Sequence, residues 1–504
     1  MNMILTIILL PLIFSVFTMT CVTFFEKAGR KRIEAFIPYY NLHVLAKIIG
    51  WNKWWCYLLL IFPYMNFFMI MLMFIELAKC FARYDIGEIV AAALFPYIYF
   101  PILSKKNVKY HDPKTTVRPP KGWVRDWLDA ILWAVVAAFI VRTFVFEAYK
   151  IPSSSMEGTL LTGDHLMVSK IGYGPRIPNT PLAIPFMHNT LPWSKTAKSY
   201  IEHPQIGYHR LPGFTKIKRN DPIVFNFPAG DTLSETYQSN VTYYQLVRAF
   251  GRDYVNNNKI QFGNIITRPV DKRENYVKRL IGMPGDKLQI IDGVVYINDE
   301  IGYQPEHMQH NYFVKINGTA INQKILDKFG ISEGYRTPVP NQFVLNMSAS
   351  TAEEFKKQPF VIEVTRANAP AGTEVSQEIF PNDTLHFRWN VDNFGPIVIP
   401  QEGATVQITP ENIALYERCI TAYEHNKLEI KDGKIFINGI ETDEYTFAMD
   451  YYWMMGDNRH NSQDSRFWGY VPVDHIIGTP LFVWLSRDLK SGKIRFDRFF
   501  KFPK

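Results

Sequence analysis

A mainly β domain with an inserted α+β or β subdomain, preceded by an α-helical membrane region, is the fold this 504-residue sequence predicts. Three observations predict it. Long apolar runs crowd into roughly the first 150 residues, and basic residues gather beside those runs. The remainder alternates short apolar stretches with Gly, Pro, Asn and Asp. An overall hydrophobic fraction of 47% therefore averages over two unlike parts, and the length suggests two or three units.

Four segments read as spans. The first, about 4 to 25, is apolar for roughly the 20 residues a bilayer needs. It lacks a positive n-region and an Ala-x-Ala-like exit, so a span fits better than a cleaved leader. The second, about 55 to 78, begins beside Trp51, Trp54 and Trp55, an interfacial pattern. The third, about 89 to 103, carries Pro96 and Pro101 and reads as a kinked span or a re-entrant piece. The fourth, about 127 to 146, has Arg142 near its far end, where it can snorkel.

Much of the formal net charge of +8 sits in two blocks. One is Lys27, Arg30, Lys31 and Arg32; the other runs from Lys105 and Lys106 through Lys109, Lys114, Arg118, Lys121 and Arg125. Both follow apolar runs directly, which favours a membrane surface over nucleic acid as partner. Placing both in the cytoplasm sends the fourth span outward. The expected division is a membrane module over 1–105 with about three spans, a basic cytoplasmic linker over 106–125, an anchor over 126–148 and an extracytoplasmic domain over 149–504.

Within that last domain, runs such as 222–227 and 478–486 have strand character. Two stretches, 291–298 and 431–438, each set Asp-Gly before an alternating strand and read as hairpins, unrelated or duplicated. The segment between them, about 300 to 428, has its own Gly/Pro punctuation and reads as an insertion. Of four cysteines only Cys419 falls in this domain, so no internal disulfide is expected. His307 and His310 are close in sequence but lack a cysteine nearby, and read as surface residues rather than metal ligands.

Three segments can carry chemistry. Ser153, Ser154 and Ser155 follow the fourth span; a serine cluster there is commonly a loop or cap, yet it offers an exposed nucleophile near the bilayer. Lys278 shares a strand face with Tyr276 and Leu280. Such a lysine is commonly a snorkelling edge residue, but if buried its lowered pKa makes the amine a usable base. The loop from Gly456 to Arg466 is dense in donors and acceptors, as turn networks and supports of a neighbouring site both are.

Taken together, Ser-x-Ser-Met-x-x-Thr-Leu at 153–160, Lys-Arg-x-x-Gly-x-Pro-Gly-Asp at 278–286 and Gly-Asp-Asn-Arg-x-Asn-Ser-x-Asp-Ser-Arg at 456–466 resemble the type I signal peptidases. The stretch Arg219–Phe225 looks like that family's strand after the nucleophile, and the likeness covers roughly 126–300 and 429–490. The resemblance implies a signal-peptidase-like β fold and a membrane-bound serine endopeptidase that removes signal peptides after small residues of Ala-x-Ala type. It implies Ser155 as nucleophile and Lys278 as general base. It further implies the Ser155 N–H and Ser153 hydroxyl as oxyanion donors, Ser462 orienting the amine, and Asp464 with Arg466 as a supporting pair. Asp457, Arg459 and Arg279 support the loop, and Tyr149, Ile151 and Val277 line shallow substrate pockets. His460 and Ser154 depart from the family pattern, which usually has an acidic residue and commonly glycine there.

The expected partners are secreted pre-proteins and the lipid bilayer, with the export machinery as a further candidate and no nucleic acid; no metal or cofactor is needed. The expected location is the bacterial cytoplasmic membrane, multi-pass, with the catalytic domain on the periplasmic side. A related protease with a dedicated substrate would use the same dyad. A degenerate scaffold would have lost Ser155 or Lys278, and both are present.

Overall fold

The computed structural model describes residues 18–38, 40–51, 63–116, 123–184, 186–194, 196–489 and 491–503. It forms two compact units, Met1–Phe144 with Ile177–His209, and Val145–Arg176 with Arg210–Lys504.

The first unit is helical where it has regular structure, with helices Val22–Lys27, Tyr40–Ile48, Pro63–Cys80, Ile86–Leu94, Pro96–Ser104 and Trp123–Ile140. Phe24 meets Phe81 and Phe100 edge to face, with ring centroids 4.8 and 5.3 Å away. Buried Asn41 donates from its side chain to the Ala35 carbonyl at 3.1 Å, which satisfies a polar group inside an apolar core.

Among the described residues no helix is long and apolar enough to cross a membrane. The larger part of the first expected span and the start of the second lie outside the described residues. The third is not one helix but two of nine residues, broken at Phe95–Pro96. Proline there has no N–H to continue the first helix and pushes Phe95 out of the helical region. The fourth begins as an 18-residue helix with Asp126 in its first turn, then widens over Val141–Val145 before the chain turns to strand.

The second unit is mainly β. Its largest sheet is antiparallel, in the order Phe146–Lys150, Asp164–Ser169, Ile476–Ser486, Pro222–Asn226, Asn275–Gly282, Tyr451–Met455, Val471–Pro472. Pro222–Asn226 is buried at every position, as a central strand covered on both faces must be. This sheet pairs Ile223 with Lys278 and Val224 with Val277.

Both Asp-Gly runs fold as three-stranded meanders, Lys287–Ile291, Val294–Ile297, Glu300–Ile301 and Leu428–Lys431, Lys434–Ile437, Ile440–Glu441. Their turns are alike. Asp292 and Gly293 have φ of 47° and 75°, Asp432 and Gly433 51° and 74°, the twisted two-residue turn that needs positive φ twice. Lys287 N–H donates to Asn298 Oδ1 at 2.9 Å, and Lys427 N–H to Asn438 Oδ1 at 2.9 Å.

The stretch 300–428 holds a separate α+β piece. Its sheet runs Gly334–Arg336, Gln342–Ser348, Gln309–Ile316, Val361–Arg366, with helices Gln323–Lys328 and Ala349–Phe355, around buried Val314, Ile316, Leu345 and Phe355. The same stretch then returns as Phe394–Val398 to pair with Lys287–Ile291, so its later part belongs to the neighbouring sheet. His310 is 1% exposed and not a surface residue, because alternate positions of Gln309–Ile316 face inward. Three short helices at Tyr243–Phe250, Arg252–Asn257 and Lys259–Phe262 have no counterpart in the sequence expectations, which name strands, hairpins and an insertion in this domain. They close on a small core of Tyr243, Leu246, Val255 and Phe262.

Candidate active site

Ser155 lies in the turn after Phe146–Lys150, and Lys278 in the middle of Asn275–Gly282. Both are buried, and Lys278 Nζ donates to Ser155 Oγ at 2.7 Å. Its second acceptor is the Val277 carbonyl at 3.2 Å. Among the described residues Lys278 makes no ion pair within 4 Å. Burial pulls its ammonium down from 10.5 to about 8, while Asp464 and Asp457 pull weakly the other way. An amine so placed can take a proton from the hydroxyl it touches.

The substrate-lining expectations fall together. Tyr149, Ile151 and Val277 share one apolar cluster with Met156, Leu160, Leu166, Val168 and Val224. Ser153 Oγ lies 3.5 Å from Ser155 Oγ.

Gly456 shows why the serine turn and the polar loop can approach so closely. A Cβ there would stand 2.2 Å from Ser462 Oγ and 2.4 Å from the Ser155 carbonyl oxygen. Asn458 N–H then reaches that carbonyl at 3.2 Å.

The expected Asp464–Arg466 pair is present, and the partners of Asp457 and Arg459, which the sequence expectation left unnamed, are seen here. Asp457 does not pair with Arg459 but takes two bonds from Arg279, Nε at 2.8 Å and Nη2 at 2.6 Å. Thr159, a motif residue to which the sequence reading gave no role, donates to Asp457 Oδ2 at 2.6 Å. Arg459 instead donates from Nε to the Gly456 carbonyl at 3.2 Å. Asp464 accepts from Arg466 at 2.8 and 2.9 Å and from Gly456 N–H at 3.1 Å. Burial would raise the Asp464 carboxyl, yet the Arg466 guanidinium holds it below the usual range. Ser462 is buried in the loop, but among the described residues its hydroxyl has no hydrogen-bond partner, so the expected bond to Lys278 is not formed. The amine's donors are directed at Ser155 and the Val277 carbonyl instead.

The sequence reading also missed what edges the loop. Asn346 Nδ2 donates to Asn458 Oδ1 at 2.9 Å, and His460 contacts Asp392 at 3.0 Å. These partners lie about 70 to 110 residues away, and no short motif announces them. Among the described residues no group of three or more His, Cys, Asp or Glu could hold a metal ion.

Known proteins resemble the chain over most of its length. The family model described as signal peptidase, peptidase S26, matches residues 124–353 and 398–485, well over half of the chain. Residues 33–113 match a family of unknown function, DUF5684. The chain is 25% identical to signal peptidase I of Buchnera aphidicola (subsp. Baizongia pistaciae) over 72% of its own length and 79% of the relative's. Against signal peptidase I of Haemophilus influenzae it is 22% identical, covering 82% and 88%. The enzyme of that name from Helicobacter pylori J99 is 25% identical, with 75% and 86% covered. On the extent of the family match, the chain belongs to the signal peptidases of the peptidase S26 family and is a serine peptidase.

Proposed function

We propose that this peptidase cleaves signal peptides from secreted pre-proteins with Ser155 as nucleophile and Lys278 as general base. The observation that carries the proposal is a buried amine, low at about 8, donating to a serine hydroxyl 2.7 Å away. Neutral Lys278 takes the Ser155 proton as Oγ attacks the scissile carbonyl carbon. The ammonium so formed protonates the leaving amine, and a water deprotonated by the same lysine releases the acyl-enzyme. The Ser155 N–H and Ser153 hydroxyl hold the developing oxyanion; losing one such donor typically costs about 3 kcal/mol. Tyr149, Ile151 and Val277 form an apolar floor suited to small side chains of Ala-x-Ala type.

The membrane placement is part of the same proposal: a module over 1–105, an anchor over 126–148 and the catalytic domain on the periplasmic side of the bacterial cytoplasmic membrane. It rests on the two basic blocks and on the apolar runs they follow.

Purified full-length protein with a pre-protein carrying Ala-x-Ala tests the chemistry. Ser155→Ala and Lys278→Ala should each abolish processing while keeping the fold; full activity in either removes the dyad. A reporter fused after Lys504 should be active only outside the cytoplasm, and a cytoplasmic signal removes the orientation.

A further inference from the structure

The loop Gly456–Asn461 is held along one side by the inserted sheet. Gln309 N–H donates to the Asp457 carbonyl at 2.9 Å, and Arg459 N–H to the Gln309 carbonyl at 2.8 Å. Asn311 N–H donates to His460 Nδ1 at 3.1 Å. All of these reach the loop alone.

Glu333 does more. Its Oε1 accepts from the Ser154 hydroxyl at 2.5 Å, and its Oε2 accepts from Asn461 Nδ2. Asn461 Nδ2 also donates to Ser154 Oγ at 3.0 Å, closing a triangle between three segments remote in sequence. The carboxylate does not hang on a free loop: the Glu333 carbonyl accepts from Asn346 N–H at 3.1 Å, on the strand that also donates to Asn458. One residue before it, Ser332 Oγ donates to Glu157 at 3.3 Å, on the far side of the same serine turn. A carboxylate has two acceptor oxygens and no donor, which suits two donors arriving from two segments.

We propose that Glu333, just before the edge strand of the inserted sheet, is a positioning residue that ties the turn carrying Ser155 to the polar loop and so sets the attack geometry. The inference rests on the Ser155/Lys278 reading. Misplacing a reacting group by about 1 Å can cost about a hundredfold, so a tether one residue from the nucleophile acts on kcat more than on substrate affinity.

The test is steady-state processing of the same pre-protein by the full chain. Glu333→Ala should lower kcat about tenfold with KM within about twofold, and leave the pH midpoint of activity in place, since the base is untouched. Glu333→Gln, isosteric and able to accept through one oxygen, should fall between wild type and Glu333→Ala. Ser154→Ala should reproduce much of the loss, and Glu333→Ala added to it should cost little more. Wild-type kcat in Glu333→Ala, or fully additive losses, overturns the inference. If Glu333→Ala does not fold, wild-type kcat in Glu333→Gln together with wild-type kcat in Ser154→Ala overturns it as well. Ser155→Ala and Lys278→Ala run beside them: activity in these removes the dyad instead, whatever Glu333 does.

Discussion

Lys278 and Arg279 are consecutive cations on one strand, 3% and 1% exposed, and the two faces of that strand treat them oppositely. On one face Lys278 meets a hydroxyl and a carbonyl, and burial lowers its pKa to about 8. On the other, Arg279 meets Asp457 through two bonds and the Asn220 carbonyl at 2.6 Å. Burial works against its charge too, but the Asp457 carboxylate outweighs it and raises the arginine. The difference separates two kinds of buried cation. A compensated charge holds two segments together, whereas an uncompensated one gives up its proton easily and can do chemistry.

The largest expected effect comes from erasing that difference. Lys278→Arg puts a group that stays charged at every accessible pH beside Ser155, so kcat should fall by at least about a thousandfold. Wild-type kcat should rise with pH through a midpoint near 8, whereas the variant should show no such limb between pH 6 and about 10. A variant that retains the limb breaks the comparison.

Next in size is the paired face. Arg279→Ala leaves Asp457 buried without its guanidinium and should cost about 3–5 kcal/mol in urea unfolding, recovered in part by adding Asp457→Asn. A cost under about 1 kcal/mol would mean that the pair is not structural.

The smallest effect has a sign that discriminates. Lys278 has a folded pKa below its unfolded value of 10.5, so the unfolded chain binds more protons between about 8 and 10.5 and wild-type stability rises with pH across that window. Lys278→Met removes the burden present below the folded value. Its melting temperature should exceed that of wild type at pH 7 by a few degrees, and the gain should vanish by about pH 10.5. A gain that grows with pH would contradict the assigned direction.

Much of the candidate site was legible from sequence because it lies in three short motifs that together resemble a known family, although no one of them is decisive alone. Ser155, Lys278 and the Asp464–Arg466 pair could be picked out, and Tyr149, Ile151 and Val277 do share one cluster. Partner choice was not legible. Asp457 lies two residues from Arg459 yet bonds Arg279, 178 residues away, because the strands Asn275–Gly282 and Tyr451–Met455 are neighbours in the sheet. Glu333, 179 residues from Ser154, had no sequence signal, since an isolated glutamate in an insertion is ordinary.

The two meanders make the same division. Their sequence by itself determined the turns, since Asp-Gly supplies positive φ twice and a following Asn ties each hairpin's ends. Tertiary structure alone decided their burial. Ile290 is 2% exposed in a core shared with Phe394 and Trp453, while its counterpart Ile430 is 50% exposed, although Ile435 of the second meander joins the same core at 4%. Lys278 follows the same rule. Sequence determined that a lysine stands on an apolar strand face, but only segments remote in the chain could take water from its amine and set a hydroxyl against it, and a pKa depends on what surrounds the group rather than on its identity.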